Sequence, residues 1–347
     1  EGSLKAPDYA FRIGTTRKFF VEAKKPAVDI RYAIHPAYQL RRYAWNAHLP
    51  LSILTDFEEL AVYDCRTRPD PKDSAATGRV MLFTFEEYVE RWNEIAQIFS
   101  KDAVWNGSFD RYAEGSKGKR GTTEVDAEFL KEIEDWRILL ARNIALRNFR
   151  PSAGSILTSE ATSIIANETS SVIASEAKQS QPATEAKQPP NLHRAERQLN
   201  YAVQTTINRI LFLRICEDRK IEPTDQLLQI AEGSDIYAKL LLLFQKADQK
   251  YNSGLFHFSK EKGQTSEPDT FTPSLQIDDK ILRQIIKSTY FPCPYMFNEI
   301  PVEILGQVYE QFLGSVIRLT PGGQAKVEEK PEVRKAGGVY YTPRYIV

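Results

Sequence analysis

Apolar and polar positions in the first hundred residues follow two different periods. Tyr9–Ile13 and Lys18–Ala23 are short aromatic and β-branched runs, and Gly14-Thr15-Thr16-Arg17 between them is a turn signal, so the pair predicts a hairpin. Leu51–Thr55, Leu60–Asp64 and Val80–Thr84 predict three further strands, with Asp56–Glu59 as the turn between the first two. Between these strand patterns, Tyr32–His48 predicts a helix that stops before Pro50. Phe85–Phe99 predicts another, because Tyr88, Trp92, Ile95 and Phe99 recur at spacings of four, three and four.

From about residue 124 the period becomes helical. Phe129, Ile133, Trp136, Leu140 and Ile144 mark a helix over Glu124–Asn148. Leu199, Val203, Ile207, Ile210 and Leu211 mark one over His193–Arg219. Ile236–Tyr251, Asp278–Thr289 and Pro301–Leu313 follow the same logic, the last with Ile304, Val308, Phe312 and Leu313 inward. Residues 151–190 contain no Phe, Trp or Tyr and repeat short Ser-Glu-Ala and Glu-Ala-Lys-Gln units. This low-complexity segment cannot bury a core, and it reads as an inserted loop between two helices. Gly115–Gly121 reads as a basic loop and Thr320–Gly338 as a linker rich in Gly, Pro and charge. The expected plan is an α/β domain with a mixed sheet and flanking helices over 1–92, then a mostly α-helical connector. That connector divides into 93–150, an inserted loop at 151–192 and a helical domain at 193–319, before a closing segment at 320–347.

Composition narrows the function only slightly. The 347 residues carry 46 Lys and Arg against 46 Asp and Glu, so the net charge is zero; 42% are hydrophobic and 27% charged, as in an ordinary globular chain. No apolar run approaches the ~18–20 residues of a membrane span, and no secretory leader opens the chain. Three scattered cysteines, Cys65, Cys216 and Cys293, suit neither a disulfide framework nor a zinc site, which points to a reducing cytoplasm. Without an initiator Met, and with Thr342-Pro343-Arg344-Tyr345-Ile346-Val347 opening a helix it does not finish, the sequence reads as part of a longer polypeptide. The neutral total hides one asymmetry: residues 1–50 hold nine Lys and Arg against four acids, a basic surface that suits DNA.

The sharpest chemical signal lies in that basic stretch. Pro7-Asp8 is followed, after thirteen intervening residues, by Glu22-Ala23-Lys24. On a strand, Glu22 and Lys24 share a face about 7 Å apart, and Asp8 opens the partner strand of the hairpin. Asp8, Glu22 and the Ala23 carbonyl are hard oxygen ligands for Mg²⁺, and Lys24 stands ready to hold an attacking water and stabilise charge on phosphorus. On the next helix Gln39 and Tyr43, at i and i+4, share a face, with Arg42 nearby; together they are expected to meet a phosphate backbone.

Pro7-Asp8-Tyr9-Ala10-Phe11-Arg12-Ile13, Phe20-Val21-Glu22-Ala23-Lys24-Lys25-Pro26 and Gln39-x-x-x-Tyr43 resemble the PD-(D/E)xK nuclease domain. The resemblance is nearest to type IIG restriction–modification proteins, which fuse that nuclease to a γ-class N6-adenine DNA methyltransferase, and it extends to the nuclease of type I restriction subunits. It continues through Ile207–Arg219, Ile304–Leu313 and Gly337-Gly338-Val339-Tyr340-Tyr341-Thr342-Pro343. It implies a restriction-endonuclease-like fold and a metal-dependent endonuclease with Asp8, Glu22 and Lys24 at its centre and Gln39 and Tyr43 in support. It also implies an S-adenosylmethionine pocket that begins at Tyr340, Tyr341, Thr342 and Pro343. Double-stranded DNA is the implied partner, with methyltransferase and target-recognition domains following in the same polypeptide. The family's acidic helix before the Pro-Asp strand is missing from these residues, so this chain alone is expected to cleave poorly or not at all; the Asn-Pro-Pro-Tyr loop is missing too, so methylation by this chain alone is not expected.

Other residues carry weaker signals. Glu217-Asp218-Arg219 reads as a solvated or intrahelical charge cluster and Cys216 as core, and the four histidines show no ligand spacing. The Lys117-Gly118-Lys119-Arg120 loop suits solvent or a phosphate equally. Two rival readings remain: an accessory region of an adenine methyltransferase with an inactive nuclease fold, and a non-enzymatic interaction scaffold.

Overall fold

The computed structural model describes residues 6–115, 125–149, 190–251, 254–259, 267–300, 314–320 and 322–329. Five strands form one mixed sheet in chain order: β1 (Tyr9–Ile13), β2 (Thr16–Ala23), β3 (Leu51–Thr55), β4 (Glu59–Asp64) and β5 (Arg79–Thr84). Every neighbour pair is antiparallel except β2–β3, and only that pair needs a crossover, which holds helix α1 (Ile34–Asn46). The β1–β2 hairpin closes through Gly14-Thr15, with Gly14 at φ +58°, a conformation open to glycine at no steric cost. The predicted strands and α1 therefore stand, shifted by at most two residues at their ends.

Strand alternation sorts the sheet into two faces. Phe20, Leu54, Ala61 and Tyr63 pack with Leu40, Tyr43 and Ala44 of α1. Phe19, Leu51, Ile53 and Val62 pack on the opposite face against Ile98, Val104, Phe109 and Ala113. Those last four belong to α2 (Tyr88–Phe99), α3 (Lys101–Trp105) and α4 (Ser108–Gly115), so the expected break between residues 92 and 93 falls inside a helix that covers the sheet. The expected inward face of α2 also turns out differently. Ile95 and Ile98 are buried and Trp92 is 59% exposed, because α2 turns the side that carries Arg91, which stacks on the Phe83 ring of β5, toward the sheet.

The helical region pairs α5 (Val125–Asn148) with α6 (Pro190–Asp218) and adds α7 (Gln226–Glu232), α8 (Ile236–Tyr251) and α9 (Asp279–Lys287). Every apolar position singled out on α5 and α6 is buried in its core. Two strands, β6 (Ser315–Leu319) and β7 (Ala325–Glu329), form a hairpin with Ile317 and Leu319 in that core, where an extended linker was expected from Thr320. Asn200 fixes the hairpin by exchanging two hydrogen bonds with the Ile317 backbone, at 2.8 and 2.9 Å. Of the two readings of the Glu217-Asp218-Arg219 cluster, the intrahelical one stands, with Arg214 paired to Asp218 at 2.5 Å and 3.7 Å from Glu217, and the solvated one fails at Glu217, which is 2% exposed and bonded to Leu227 and Tyr290.

The two regions interlock. Trp45, from α1, lies in the helical core, and Met296, from the helical region, lies in the core between sheet and α1. The expected helix Pro301–Leu313, most of the basic loop, the inserted loop and the segment from 330 onward lie outside the described residues.

Candidate active site

The site forms where β1 starts and β2 ends. Register pairs Tyr9 with Val21, and one step further brings Asp8 across from Glu22. Asp8 Oδ2 accepts the Ala23 N–H at 2.8 Å, which ties the first acid to the strand of the second. β2 gains its parallel partner here, with Ala23 opposite Thr55 and the Lys24 N–H donating to the Thr55 carbonyl at 2.8 Å. The end of β2 is thus fixed from both sides.

Glu22 shares the α1 face with Phe20, and α1 closes over it. It is 2% exposed. Lys24 Nζ donates to Glu22 Oε1 at 2.5 Å, and Gln39 Nε2 donates to the same oxygen at 2.9 Å. Gln39 Oε1 faces Lys24 Nζ at 3.4 Å, and its amide nitrogen reaches the Tyr43 hydroxyl at 3.1 Å. Both donors to the carboxylate fall on Oε1; Oε2 is buried and has no hydrogen-bond partner. Burial pushes the Glu22 carboxyl above its ordinary value and Asp8 adds to the effect, while the hydrogen bond and charge of Lys24 pull it back. Burial likewise raises the Tyr43 phenol, so it stays a neutral hydrogen-bonding group.

The structure therefore brings Asp8, Glu22, Ala23, Lys24, Gln39 and Tyr43 together. Arg42 does not join them. It lies on the adjoining side of α1, where its guanidinium donates to the carbonyls of Pro294 at 3.3 Å and Tyr295 at 2.7 Å. Its expected place at a phosphate backbone is taken up by backbone oxygens some 250 residues away in sequence. Gln39 binds the carboxylate, and Tyr43 accepts a hydrogen bond from Gln39. The residues Tyr340, Tyr341, Thr342 and Pro343 lie outside the described residues.

The donor set suits a hard divalent cation in one respect that the sequence did not reveal. Two acids and a backbone carbonyl are oxygen ligands, and the unpaired Glu22 Oε2 is a buried acceptor whose desolvation nothing in the chain offsets. Among the described residues no group of three or more His, Cys, Asp or Glu gathers at metal-binding distance, so further ligands would be water or substrate oxygens.

No family model matches this chain, and no solved structure matches it. A curated protein does match, along nearly the whole of this chain. That relative is the type II restriction enzyme and methyltransferase RM.Eco57I of Escherichia coli, 34% identical over 354 aligned residues. The alignment takes in 99% of this chain and 29% of the relative, so the chain spans less than a third of that protein's length. Among the described residues no helix is long and apolar enough to cross a membrane.

Proposed function

We propose that this chain is the nuclease-bearing part of a restriction–modification fusion and hydrolyses phosphodiester bonds of double-stranded DNA in an Mg²⁺-dependent reaction. The observation that carries this reading is the asymmetry of Glu22, whose Oε1 is held by Lys24 and Gln39 while Oε2 is left without a partner, on a strand end that Asp8 caps through the Ala23 N–H. Asp8, Glu22 and the Ala23 carbonyl would hold the ion, which polarises the phosphoryl oxygen and acidifies a bound water.

The chain's own groups do the remaining work. Gln39 locks the Glu22 carboxylate in one rotation, so that its free oxygen points consistently. Lys24 supplies a positive charge that orients the attacking water and stabilises the negative charge growing on phosphorus. Burial of Glu22 beneath α1 keeps bulk water from competing for the same oxygen. The excess of cations in residues 1–50 draws the DNA backbone toward this edge. Methyl transfer from S-adenosylmethionine, with Tyr340, Tyr341, Thr342 and Pro343 opening its pocket, belongs to the same proposal for the longer polypeptide, as do its target-recognition domain and a cytoplasmic home.

Supercoiled plasmid provides the test. Nicking or linearisation should occur with Mg²⁺, stop on chelation, and be lost in Glu22→Ala and Lys24→Ala while both variants keep their far-UV circular dichroism. Cleavage that persists in chelator, or in a folded Glu22→Ala variant, would sink the reading.

A further inference from the structure

Helix α1 carries two polar stripes. Gln39 and Tyr43 face the carboxylate site. One position earlier on the helix surface, Tyr38, Arg42 and Asn46 recur at four-residue spacing and share the adjoining side. All three donate to backbone carbonyls of one short segment of the helical region. The Tyr38 hydroxyl donates to the Pro292 carbonyl at 3.2 Å, and Arg42 donates to those of Pro294 and Tyr295. Asn46 is fully buried: its amide nitrogen donates to the Pro294 carbonyl at 2.7 Å and to the Arg42 carbonyl at 2.8 Å, and its oxygen accepts the Met296 N–H at 2.8 Å.

The segment itself is anchored from behind. The Phe297 N–H donates to Asp218 Oδ2 at 3.0 Å, at the end of α6. Tyr295 and Phe297 meet the Phe129 ring edge-on, at centroid distances of 5.0 and 5.8 Å, and the Arg214 guanidinium lies 4.1 Å from the Tyr290 ring. None of these anchors belongs to the five-stranded sheet.

We propose that residues 292–296 act as a positioning strap. Through Tyr38, Arg42 and above all Asn46, the helical region fixes the axial position of α1 and thereby sets Gln39 and Tyr43 against Glu22. The proposal rests on the nuclease reading for its catalytic consequence, though not for its structural one. Asn46 is a positioning residue: it touches no part of the site, yet it joins the helix bearing Gln39 to a backbone that cannot move without α5 and α6. A slip of α1 by a fraction of a turn would take the Gln39 amide off Glu22 and let the carboxylate rotate. In this view the sheet and the helical region are not separable modules, because the second holds part of the first in register.

A fluorotyrosine probe at position 43, read by ¹⁹F NMR without DNA, reports the setting of α1. Single-turnover cleavage at saturating duplex with Mg²⁺ reports its consequence. In Asn46→Ala and Arg42→Gln the resonance should shift or broaden, and the cleavage rate should fall roughly 10- to 100-fold at unchanged duplex affinity. Arg42→Lys, which can still donate to a carbonyl, should restore most of both. Ile285→Ala, a cavity in the helical core on α9, should lower the melting temperature and leave the resonance in place. An unmoved resonance with an unchanged rate in Asn46→Ala would overturn the strap, and so would an equal displacement in Ile285→Ala. If Asn46→Ala does not fold, Arg42→Gln and its lysine rescue decide the matter. If the parent chain does not cleave at all, the nuclease reading fails while the ¹⁹F comparison still decides the strap.

Discussion

Glu22 and Glu217 invite comparison. Each is 2% exposed, each stands beside a cation, and each has its carboxyl pushed above the ordinary range, chiefly by burial. They differ in how their oxygens are used. Glu217 Oε1 accepts the Leu227 N–H at 2.8 Å and Oε2 accepts the Tyr290 hydroxyl, with Arg214 3.7 Å from the same oxygen. Glu22 receives Lys24 and Gln39 on one oxygen and nothing on the other. A buried acceptor left without a partner costs about 1–3 kcal/mol. The saturated glutamate closes the seam between α6, α7 and Tyr290. The unsaturated one sits near the end of β2, on the strand that the exposed Asp8 is bonded to.

That contrast can be broken most directly by removing each carboxylate in turn. Glu22→Ala and Lys24→Ala should each lower cleavage by roughly 10³-fold or more at unchanged duplex affinity, as measured in single-turnover assays. Glu217→Ala should instead unfold the molecule more easily, by about 1–3 kcal/mol in urea denaturation, because it leaves the buried Tyr290 hydroxyl and Leu227 N–H without their partner. Glu22→Ala should change stability little, or even raise it, since it removes the unpaired oxygen. Equal destabilisation by the two alanine variants would erase the distinction drawn here.

Metal sharpens the comparison further. Mg²⁺ should raise the melting temperature of the parent chain and of Glu217→Gln, and leave that of Glu22→Ala unchanged, because only a ligand that binds the folded state stabilises it. The smallest effect concerns pH. The Glu217 carboxyl is raised in the folded state, so its protonated form favours folding. That stabilisation is full below the unfolded value near 4.5 and is lost as pH rises through the folded value. Relative to Glu217→Gln, the parent chain should therefore lose stability as pH is raised across this window. A difference that ran the other way would mean that the Arg214 charge outweighs burial.

Much of the fold could be read from local patterning. β1, β3 and α8 begin and end where the hydrophobic runs do, and the buried stripe of α5 is the one its spacing predicts. Asp8, Glu22 and Lys24 were also legible, since a hairpin register follows from strand alternation and turn length. Several features were not. α3 and α4 are too short to establish a helical period. β7, Ala325–Glu329, is mostly charged and reads as linker until β6 supplies its partner. Trp92 has the right spacing for an inward residue, but α2 presents the neighbouring Arg91 to Phe83 of β5 and leaves Trp92 exposed.

The sequence by itself determined which side chains of each element avoid water and which acids and lysine share the β1–β2 edge, because those properties depend on neighbours a few residues away. Only the tertiary structure decided what each polar stripe meets. Arg42 has the charge and position of a phosphate ligand, and it became a clamp because the carbonyls of Pro294 and Tyr295 pack against its side of α1. Glu22 resembles any other strand glutamate until α1 folds over it and fills one of its oxygens but not the other. Hydrogen-bond saturation belongs to the assembled environment of a group, and no local period encodes it.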